Sequence, residues 1–355
     1  MPETSPRSRV AVVGVGRMGR HHARTAAKLA HADLLAVVDG QAERAATVAD
    51  EYGCAAFATV DELLAAHGDS LHAAVIAVPT RFHADAARPF LERGIACLIE
   101  KPLAANVAEA KQIADLAEQH HAVLQVGHTE RFNPAVRAVA ELQLVPRFME
   151  VDRVSPMTFR SLDVGVVMDM MIHDLDIVLS FARSPIKTVD ATGIAVLGEH
   201  EDIANARIVF ESGCVATLTA SRVALKTART LRFFSEKAYV SLNYANRSGV
   251  IVRRSDNIEA LERVRQQIAE GKDLTDTDYH ELIHLDDLSM DLPDGQDDPL
   301  TAQLINFLDA ARLGDAPTVT AKDGYEAIAA AERVIEKINA HQWEGLEDPL
   351  FAKRK

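Results

Sequence analysis

Short apolar runs alternate with helix-forming segments through the first third of the chain. The apolar runs are RVAVVGVG, LLAVVD (Leu34 to Asp39), AAFA, AAVIAVP (Ala73 to Pro79), ACLIEKP and AVLQVGH. The segments between them, such as MGRHHARTAAKLA and AERAATVADEY, are rich in helix formers. Apolar strands that alternate with helices are typical of a parallel sheet covered on both faces. The pattern predicts a doubly wound parallel α/β domain, which we place at residues 1–127.

Two further helices are predicted in this domain, from about Arg81 to Arg93 and from about Val107 to His120. The first of them contains Pro89, which has no amide hydrogen to donate and clashes with the preceding turn. We therefore expect that helix to begin late or to bend.

The pattern changes at about Pro146, where alternating strands separated by turn signals take over. These strands are RFMEVDRVSP, ANARIVF, CVATLTASRV, LRFFS, AYVSLNY and VIVRRS, with ESG as a hairpin turn. One helix from about Val167 to Phe181 precedes most of them, and amphipathic helices over Leu300–Arg312 and Lys322–Ala340 close the chain. The pattern predicts a mostly antiparallel α+β domain over residues 128–355, whose last helices are free to pack back on the first domain.

Charge and cysteine content narrow the class of protein. Lys and Arg number 38 against 52 Asp and Glu, a net charge of −14, whereas a binder of nucleic-acid backbones is expected to be basic. Cys54, Cys97 and Cys214 form no CxxC pair, so neither a disulfide framework nor a structural zinc site is expected, and a cytoplasmic location fits. The most apolar segment, VGVVMDMMIHDLDIVLSFA, carries three aspartates and a histidine, so no membrane span is expected.

Three glycines form a GxGxxG motif between the first strand and the first helix. Gly14 permits the sharp turn, Gly16 lets the backbone approach a pyrophosphate, and Gly19 lets the helix pack on the strand. Asp39 ends the second strand about 25 residues on, near the spacing expected for an acid that binds a ribose 2′-hydroxyl. Such an acid repels a 2′-phosphate, and the next two residues are uncharged, so NAD is favoured over NADP. The alternative is a plain strand–helix turn.

Two other groups of polar residues are candidates for chemistry. Glu100 and Lys101 follow the fifth strand, at the sheet edge where ligands bind in open α/β folds, although a lysine there is more often a solvated charge. Pro102 allows a cis peptide bond at this turn. Asp169 and His173 are four residues apart, which predicts one helical face directed at one cleft, although a lone histidine on an apolar helix is usually a core residue.

The segment HELIH at residues 280–284 has the form of a zinc-protease signature, which requires a helix. The residues around it alternate between apolar and polar and are bounded by turn formers, which predicts a strand. We therefore expect no metal site there or elsewhere in the chain.

In order and spacing, GVGRMG, AVPTRFHAD, EKPLA, VGHTERFNPA and GVVMDMMIHDLD resemble the Gfo/Idh/MocA family of NAD(P)-dependent sugar and cyclitol oxidoreductases. The resemblance implies a Rossmann domain followed by a domain with a large open sheet, whose exposed face packs into homodimers or homotetramers. It implies that the catalytic residues are Lys101, Asp169 and His173. It also implies that NAD is lined by Gly14, Gly16, Arg17, Met18, Asp39, Val78, Pro79, His83, Glu100, Lys101 and Gln125, beside Gly19.

Within the family, GHTERFNPAV and DVGVVMDMMIHDLDIV are most similar to the group of UDP-N-acetylglucosamine 3-dehydrogenases. That group oxidises the sugar 3-hydroxyl to a ketone, which a PLP-dependent aminotransferase can convert to an amine. A diphosphate on the substrate needs cations, and three arginines flank the expected cleft, although each is as readily a surface arginine. The predicted substrate residues are Arg131, Asn133, Arg153, Arg160, Asp169 and His173.

The resemblance leads to a mechanism in which NAD⁺ takes the hydride, His173 takes the hydroxyl proton and Lys101 hydrogen-bonds the same oxygen. Asp169 then holds a neighbouring hydroxyl, and an exchange of roles between Lys101 and His173 stays open. A dehydrogenase of myo-inositol or another free polyol, and a sensor that has lost the chemistry, are the alternatives. The sequence also leaves open whether 2-oxoglutarate recycles bound NADH, and what the acidic segment at 270–298 does.

Overall fold

The computed structural model describes residues 7–158, 164–255, 257–273, 282–288, 290 and 298–343. Its first sheet has six parallel strands in the order β3-β2-β1-β4-β5-β6. The strands are β1 Ser8–Val13, β2 Ala32–Val38, β3 Ala55–Phe57, β4 Ala73–Ile76, β5 Ala96–Glu100 and β6 Leu124–Gly127. The helices that connect them are α1 Arg17–Lys28, α2 Ala42–Tyr52, α3 Val60–His67, α4 His83–Leu91 and α5 Val107–Gln119. The strand order reverses between β1 and β4, so the ligand crevice lies at the carboxyl ends of these strands.

The helix with the internal proline is shorter than the sequence predicts. A 3₁₀ turn at Thr80–Phe82 comes first, α4 begins at His83, and Pro89 lies in its last turn. Asn106 is the N-cap of α5, and its side chain accepts from the Glu109 amide at 2.9 Å.

The second sheet has eight strands in the order β14-β13-β12-β11-β7-β10-β9-β8. Neighbouring strands are antiparallel except β7 and β10, which are parallel. The strands are β7 Phe148–Val154, β8 Ile186–Ile194, β9 Ile203–Phe210, β10 Val215–Ser221, β11 Ala228–Phe234, β12 Ala238–Asn243, β13 Ser248–Arg254 and β14 Ile283–Asp287. The helices are α6 Pro134–Glu141, α7 Ile172–Ala182, α8 Ile258–Ala269, α9 Pro299–Leu313 and α10 Ala321–Ala340. The predicted α+β architecture is confirmed.

Alternation along the strands divides this sheet into two unlike faces. Met149, Val151, Leu231 and Phe233 are buried on the inner face, which packs against α7 and α10. On the outer face the ring of Phe234 meets two aromatic rings, at centroid distances of 5.6 Å to Phe148 and 4.8 Å to Tyr239. The association of this outer face into homodimers or homotetramers stays a prediction.

The last two helices return to the first sheet. Leu304, Phe307 and Leu308 of α9 join the core on the α1 side of that sheet. Helix α10 packs against α5 as well as against α7 and β8. Helix α9 therefore belongs to the core of the first sheet, and α10 contacts elements of both sheets. In the described part of the chain, no helix combines the length and apolar character needed to cross a membrane.

Candidate active site

The glycine turn has the shape that a dinucleotide phosphate requires. Gly14 has φ +85°, and a Cβ there would lie 2.7 Å from the Val78 amide nitrogen. A Cβ on Gly19 would lie 1.7 Å from the Gly14 carbonyl oxygen, so the helix packs against the turn itself. A Cβ on Gly16 meets no heavy atom of the described residues within 4 Å. Open space therefore faces the beginning of α1, where Arg17 and Met18 lie.

The amino end of α1 is free to bind an anion. Gly16 occupies the N-cap position, and it has no side chain to cap the first amides. Those amides point along the helix axis toward the open space, with the positive end of the helix dipole. The turn and the helix end together fit the pyrophosphate of a dinucleotide.

Asp39 lies at the end of β2 with its carboxylate turned toward this turn. Oδ2 accepts from the Val15 amide at 3.0 Å, and Oδ1 accepts from the Gln41 amide at 2.9 Å. The carboxylate is where an acid for the adenosine ribose is expected. Arg44, on the next helix, lies 3.3 Å from Asp39 Oδ2. The sequence interpretation considered only the two residues after Asp39 and missed this cation.

His83 joins two loops at the crevice. It is 1% exposed. Its Nε2 lies 2.9 Å from the Val78 carbonyl oxygen, and its Nδ1 lies 3.0 Å from the Pro102 carbonyl oxygen. Burial lowers its pKa. His83 therefore holds the Val78–Pro79 turn against the turn that follows Lys101, and the Lys101–Pro102 peptide bond is cis.

Two residues expected to line the cofactor are buried in polar contacts of their own. Glu100 Oε1 lies 2.7 Å from His22 Nε2, and Glu100 Oε2 accepts from the Lys101 amide at 3.2 Å. Gln125 is fully buried, and its Nε2 donates to the Gln303 carbonyl of α9 at 3.1 Å. Both side chains are thus bonded to helices on the α1 side of the first sheet.

Lys101 and Asp169 meet across the crevice. Lys101 Nζ donates to the Asp169 carbonyl oxygen at 2.8 Å and lies 3.7 Å from Asp169 Oδ1. Burial lowers the pKa of Lys101, and the carboxylates of Asp169 and Glu100 offset part of this effect. The contact joins the end of β5 to the residues just before α7.

Asp169 does not lie on a regular α-helix, contrary to the helical-face argument. Val167–Met171 forms a single π-helical turn, and α7 begins at Ile172. Because a π turn holds more residues per turn, a spacing of four does not stack two side chains there. Lys101 nevertheless contacts Asp169 and acts electrostatically on His173, so the site assembles by a different local geometry.

His173 is partly buried beside these groups. Burial, and then the charges of Lys101 and Arg153, lower its pKa well below the ordinary value. Its ring meets that of His128 edge-on, with centroids 6.5 Å apart. The lowered pKa favours the neutral imidazole of His173, and the neighbouring Asp169 carboxylate favours the protonated form of Lys101, which is the pairing that a proton acceptor and a hydrogen-bond donor need.

The arginines predicted to bind a diphosphate already have carboxylate partners. Arg153 is 4% exposed and binds Asp174 in a bidentate pair at 2.8 and 2.9 Å, with Glu130 Oε1 3.1 Å from its Nη1. Arg131 lies 3.1 Å from Asp176 and 3.1 Å from Asp323. The two guanidiniums therefore neutralise carboxylates of the protein.

Two further residues, Asn133 and Arg160, were predicted to bind the substrate. Asn133 caps α6: its Oδ1 accepts from the Ala135 amide, and its Nδ2 donates to Glu130 Oε2, each at 3.1 Å. Arg160 lies outside the described residues.

Arg229 is a cation near the site that the sequence interpretation missed. It lies opposite Arg153 in the β11–β7 register, its side chain is 48% exposed, and its Nη1 lies 3.7 Å from Glu130 Oε1. Its charge acts on His173. Alternation along β11 puts it on the inner face with Leu231 and Phe233, which is the signal that could have found it.

The zinc-like segment belongs partly to the second sheet. Ile283–Asp287 forms β14, as predicted, while His280 lies outside the described residues. Within the described ranges, no group of three or more His, Cys, Asp or Glu side chains has the geometry to hold a metal ion.

Two family models match the chain over most of its length. "Oxidoreductase family, NAD-binding Rossmann fold" matches residues 8–128, and "GFO/IDH/MocA C-terminal domain" matches residues 146–241. The first match spans the parallel sheet, and the second spans β7 to β11 and most of β12 of the second sheet.

Characterised proteins are similar over much of the chain. UDP-N-acetylglucosamine 3-dehydrogenase of Acidithiobacillus ferrooxidans is 39% identical over 247 residues, which cover 69% of this chain and 77% of that protein. The crystal structure of UDP-N-acetylglucosamine 3-dehydrogenase GnnA from the same species superposes with a TM-score of 0.81 at 32% identity, over 95% of this chain and 99% of that one. Inositol 2-dehydrogenase of Rhizobium meliloti is 29% identical over 60% of this chain and 68% of its own.

Proposed function

Because the chain belongs to the Gfo/Idh/MocA oxidoreductase family, we propose that it oxidises the 3-hydroxyl of UDP-N-acetylglucosamine to a ketone, with NAD⁺ as hydride acceptor. The contact between Lys101 Nζ and Asp169, beside His173, carries this proposal. It brings an amine, a carboxylate and an imidazole together at the carboxyl edge of the parallel sheet. A nicotinamide dinucleotide supplies the hydride acceptor when it is bound.

The protein's own side chains supply the rest of the chemistry. His173 accepts the hydroxyl proton, because its depressed pKa leaves the imidazole unprotonated at neutral pH. Lys101 donates a hydrogen bond to the same oxygen and stabilises the negative charge that develops on it. Asp169 holds Lys101 in place and accepts from a neighbouring sugar hydroxyl. The reverse assignment of Lys101 and His173 predicts a different pH profile.

Two observations support a nucleotide sugar as the substrate. The relative with 39% identity is a UDP-N-acetylglucosamine 3-dehydrogenase. Arg229 presents a half-exposed guanidinium beside the site, and guanidinium groups bind phosphate oxygens through paired hydrogen bonds. The diphosphate of the substrate would therefore lie against β11.

The pairing of Arg131 and Arg153 with carboxylates favours a second candidate, a dehydrogenase of a neutral polyol such as myo-inositol. A neutral substrate does not need those cations. The similarity to inositol 2-dehydrogenase also favours this second candidate.

The experiment that tests the proposal is reduction of NAD⁺ by the purified protein, followed by the absorbance of the reduced nicotinamide. UDP-N-acetylglucosamine, free N-acetylglucosamine and myo-inositol are compared at equal concentrations. Reduction that requires the UDP portion supports the proposal, and reduction by myo-inositol alone selects the polyol enzyme. Addition of 2-oxoglutarate, and of a PLP-dependent aminotransferase that consumes the ketone, tests whether turnover is limited by bound NADH or by the product.

A further inference from the structure

His128 is buried at the carboxyl edge of the first sheet, next to the proposed catalytic residues. It is 1% exposed. Glu100 pairs with Gly127 in the parallel register, so Lys101 and His128 follow at equivalent positions on neighbouring strands. The His128 amide donates to the Val126 carbonyl at 2.8 Å, and its own carbonyl accepts from the Arg131 amide at 3.0 Å. Its backbone position is thus fixed by hydrogen bonds on both sides.

The imidazole of His128 has no hydrogen-bond partner for either ring nitrogen among the described residues, and both atoms are buried. Nδ1 of His173 is also buried without such a partner in that part of the chain. The two rings meet edge-on at a centroid distance of 6.5 Å and an interplanar angle of 88°. Three buried ring nitrogens from adjacent side chains therefore need partners, since buried polar atoms are nearly always hydrogen-bonded.

The chemistry of a histidine base explains what the partner of Nδ1 must do. A neutral imidazole that accepts a proton at Nε2 carries its own proton at Nδ1, and an acceptor for that N–H fixes the tautomer. His128 is the ring beside it. The separation of the rings suits one water molecule that makes hydrogen bonds of roughly 2.8 Å to each.

We propose that His128 is a positioning residue which, through one bridging water, accepts from Nδ1–H of His173 and leaves Nε2 unprotonated toward the substrate hydroxyl. The inference rests on the proposed function, because it needs His173 as the proton acceptor. His128 keeps the acceptor role at working pH, since burial and the charges of Arg131 and Lys101 lower its pKa to about 3.

The charged surroundings of the two rings set the sign of the expected effect. Lys101, Arg153 and Arg229 act on His173, and Arg131 and Lys101 act on His128. The nearby carboxylates form ion pairs: Asp169 pairs with Lys101, and Asp174 and Glu130 pair with Arg153. An acceptor at Nδ1 stabilises the protonated imidazole, so its removal lowers the pKa of His173.

The test compares His128→Leu with His128→Gln in the full-length protein. In His128→Leu we expect kcat to fall about 10-fold or more with an unchanged Kd for NAD⁺, and the acid limb of kcat/KM to move to lower pH. His128→Gln keeps a polar group in reach of the water and restores part of both effects. A kcat within twofold of the wild type in His128→Leu, or a loss of kcat with the acid limb unmoved, overturns the proposal.

A second measurement separates this inference from the proposed function. The ¹⁵N chemical shifts of His173 report its tautomer without any substrate. We expect the Nδ1–H form to dominate in the wild type and to decrease in His128→Leu. If no sugar is oxidised by the wild type, the proposed function fails on its own evidence. An unchanged tautomer in a folded His128→Leu protein overturns the role of His128, whatever the substrate.

Discussion

His22 Nε2 lies 2.7 Å from Glu100 Oε1, and this buried contact ties α1 to the strand end that carries Lys101. The other oxygen of Glu100 accepts from the Lys101 amide. A single carboxylate therefore connects α1, whose amino end is proposed to bind the phosphates, to the backbone of the proposed catalytic lysine. We expect both the stability of the parallel sheet with its helices and the position of Lys101 to depend on the Glu100 carboxylate.

Replacement of His22 by alanine leaves a buried carboxylate without its partner. We expect the free energy of unfolding to fall by about 1–3 kcal/mol, because Oε1 of Glu100 stays buried and loses its hydrogen-bond partner. Urea unfolding of the full-length protein measures it. His21→Ala is the matched control, since His21 is the neighbour on α1 and only partly buried. Equal losses in the two variants would show that the Glu100 contact contributes nothing specific.

Replacement of Lys101 by methionine removes the proposed donor and keeps most of the side-chain volume. We expect kcat to fall roughly 10²- to 10⁴-fold, while the Kd for NAD⁺ changes little. Initial rates and dinucleotide fluorescence titration measure the two quantities. Lys111→Met is the control, because Lys111 lies exposed on α5 and pairs with Asp115. Full turnover in Lys101→Met with retained NAD⁺ binding would remove Lys101 from the mechanism.

The parallel half of the fold could be predicted because its strands are apolar on both faces. Runs such as Ala73–Ile76 and Ala96–Glu100 are buried throughout, so their sequence signal is continuous. Three elements of the second half were missed: β8, α6 and α8. In β8, Ile186–Ile194, only Val189 is fully buried, as in many edge strands, and polar residues interrupt the pattern. Helix α6 has only eight residues, and α8 packs few of its own residues into the core.

The candidate site, like the fold, could be predicted from the sequence only in part. The glycine turn follows from local spacing, whereas Lys101, Asp169 and His173 were predicted from the family resemblance; in the structure Lys101 contacts Asp169 and acts electrostatically on His173. The partners of the arginines do not follow from local sequence, because Asp174 is 21 residues from Arg153. Asp323 is 192 residues from Arg131, and only the returning helix α10 brings it there. Sequence patterns identify a charge and leave its distant counter-charge unknown.

Replacement of Arg229 by glutamine tests whether this cation binds the substrate diphosphate. We expect KM for UDP-N-acetylglucosamine to rise about 10- to 100-fold, since a charged hydrogen bond contributes about 1.5–3 kcal/mol. KM for NAD⁺ should stay unchanged. Arg232→Gln is the matched control: Arg232 is 47% exposed on the same strand, but lies on the outer face paired with Glu150. An equal KM in the two variants would exclude Arg229 as the phosphate contact.

Replacement of Asp39 by serine tests the preference for NAD. The carboxylate repels a 2′-phosphate, and Arg44, 3.3 Å away, is released when it is removed. We expect the ratio of kcat/KM for NAD⁺ to that for NADP⁺ to fall at least about 10-fold. Asp33→Ser, at an exposed position earlier on β2, is the control. The double variant Asp39→Ser with Arg44→Gln should lose the gain with NADP⁺, and persistence of that gain would contradict the role given to Arg44.

The pH profile of oxidation should be a bell displaced toward acid. His173 must be unprotonated, and its pKa lies well below the ordinary 6.5 because of burial and the charges of Lys101 and Arg153, so kcat/KM rises to its plateau at lower pH than for a free imidazole. Lys101 must be protonated, and burial lowers its pKa from the ordinary 10.5, so activity also falls earlier on the alkaline side.

A cation removed from this cluster should move the acid limb in a known direction. In Arg229→Gln the protonated form of His173 is less repelled, its pKa rises, and the limb moves to higher pH, while Arg232→Gln leaves it in place. The reverse assignment, with Lys101 as the proton acceptor, makes activity rise as Lys101 loses its proton. The rising limb would then disappear in Lys101→Met and persist in His173→Gln, which is the opposite of the outcome expected here.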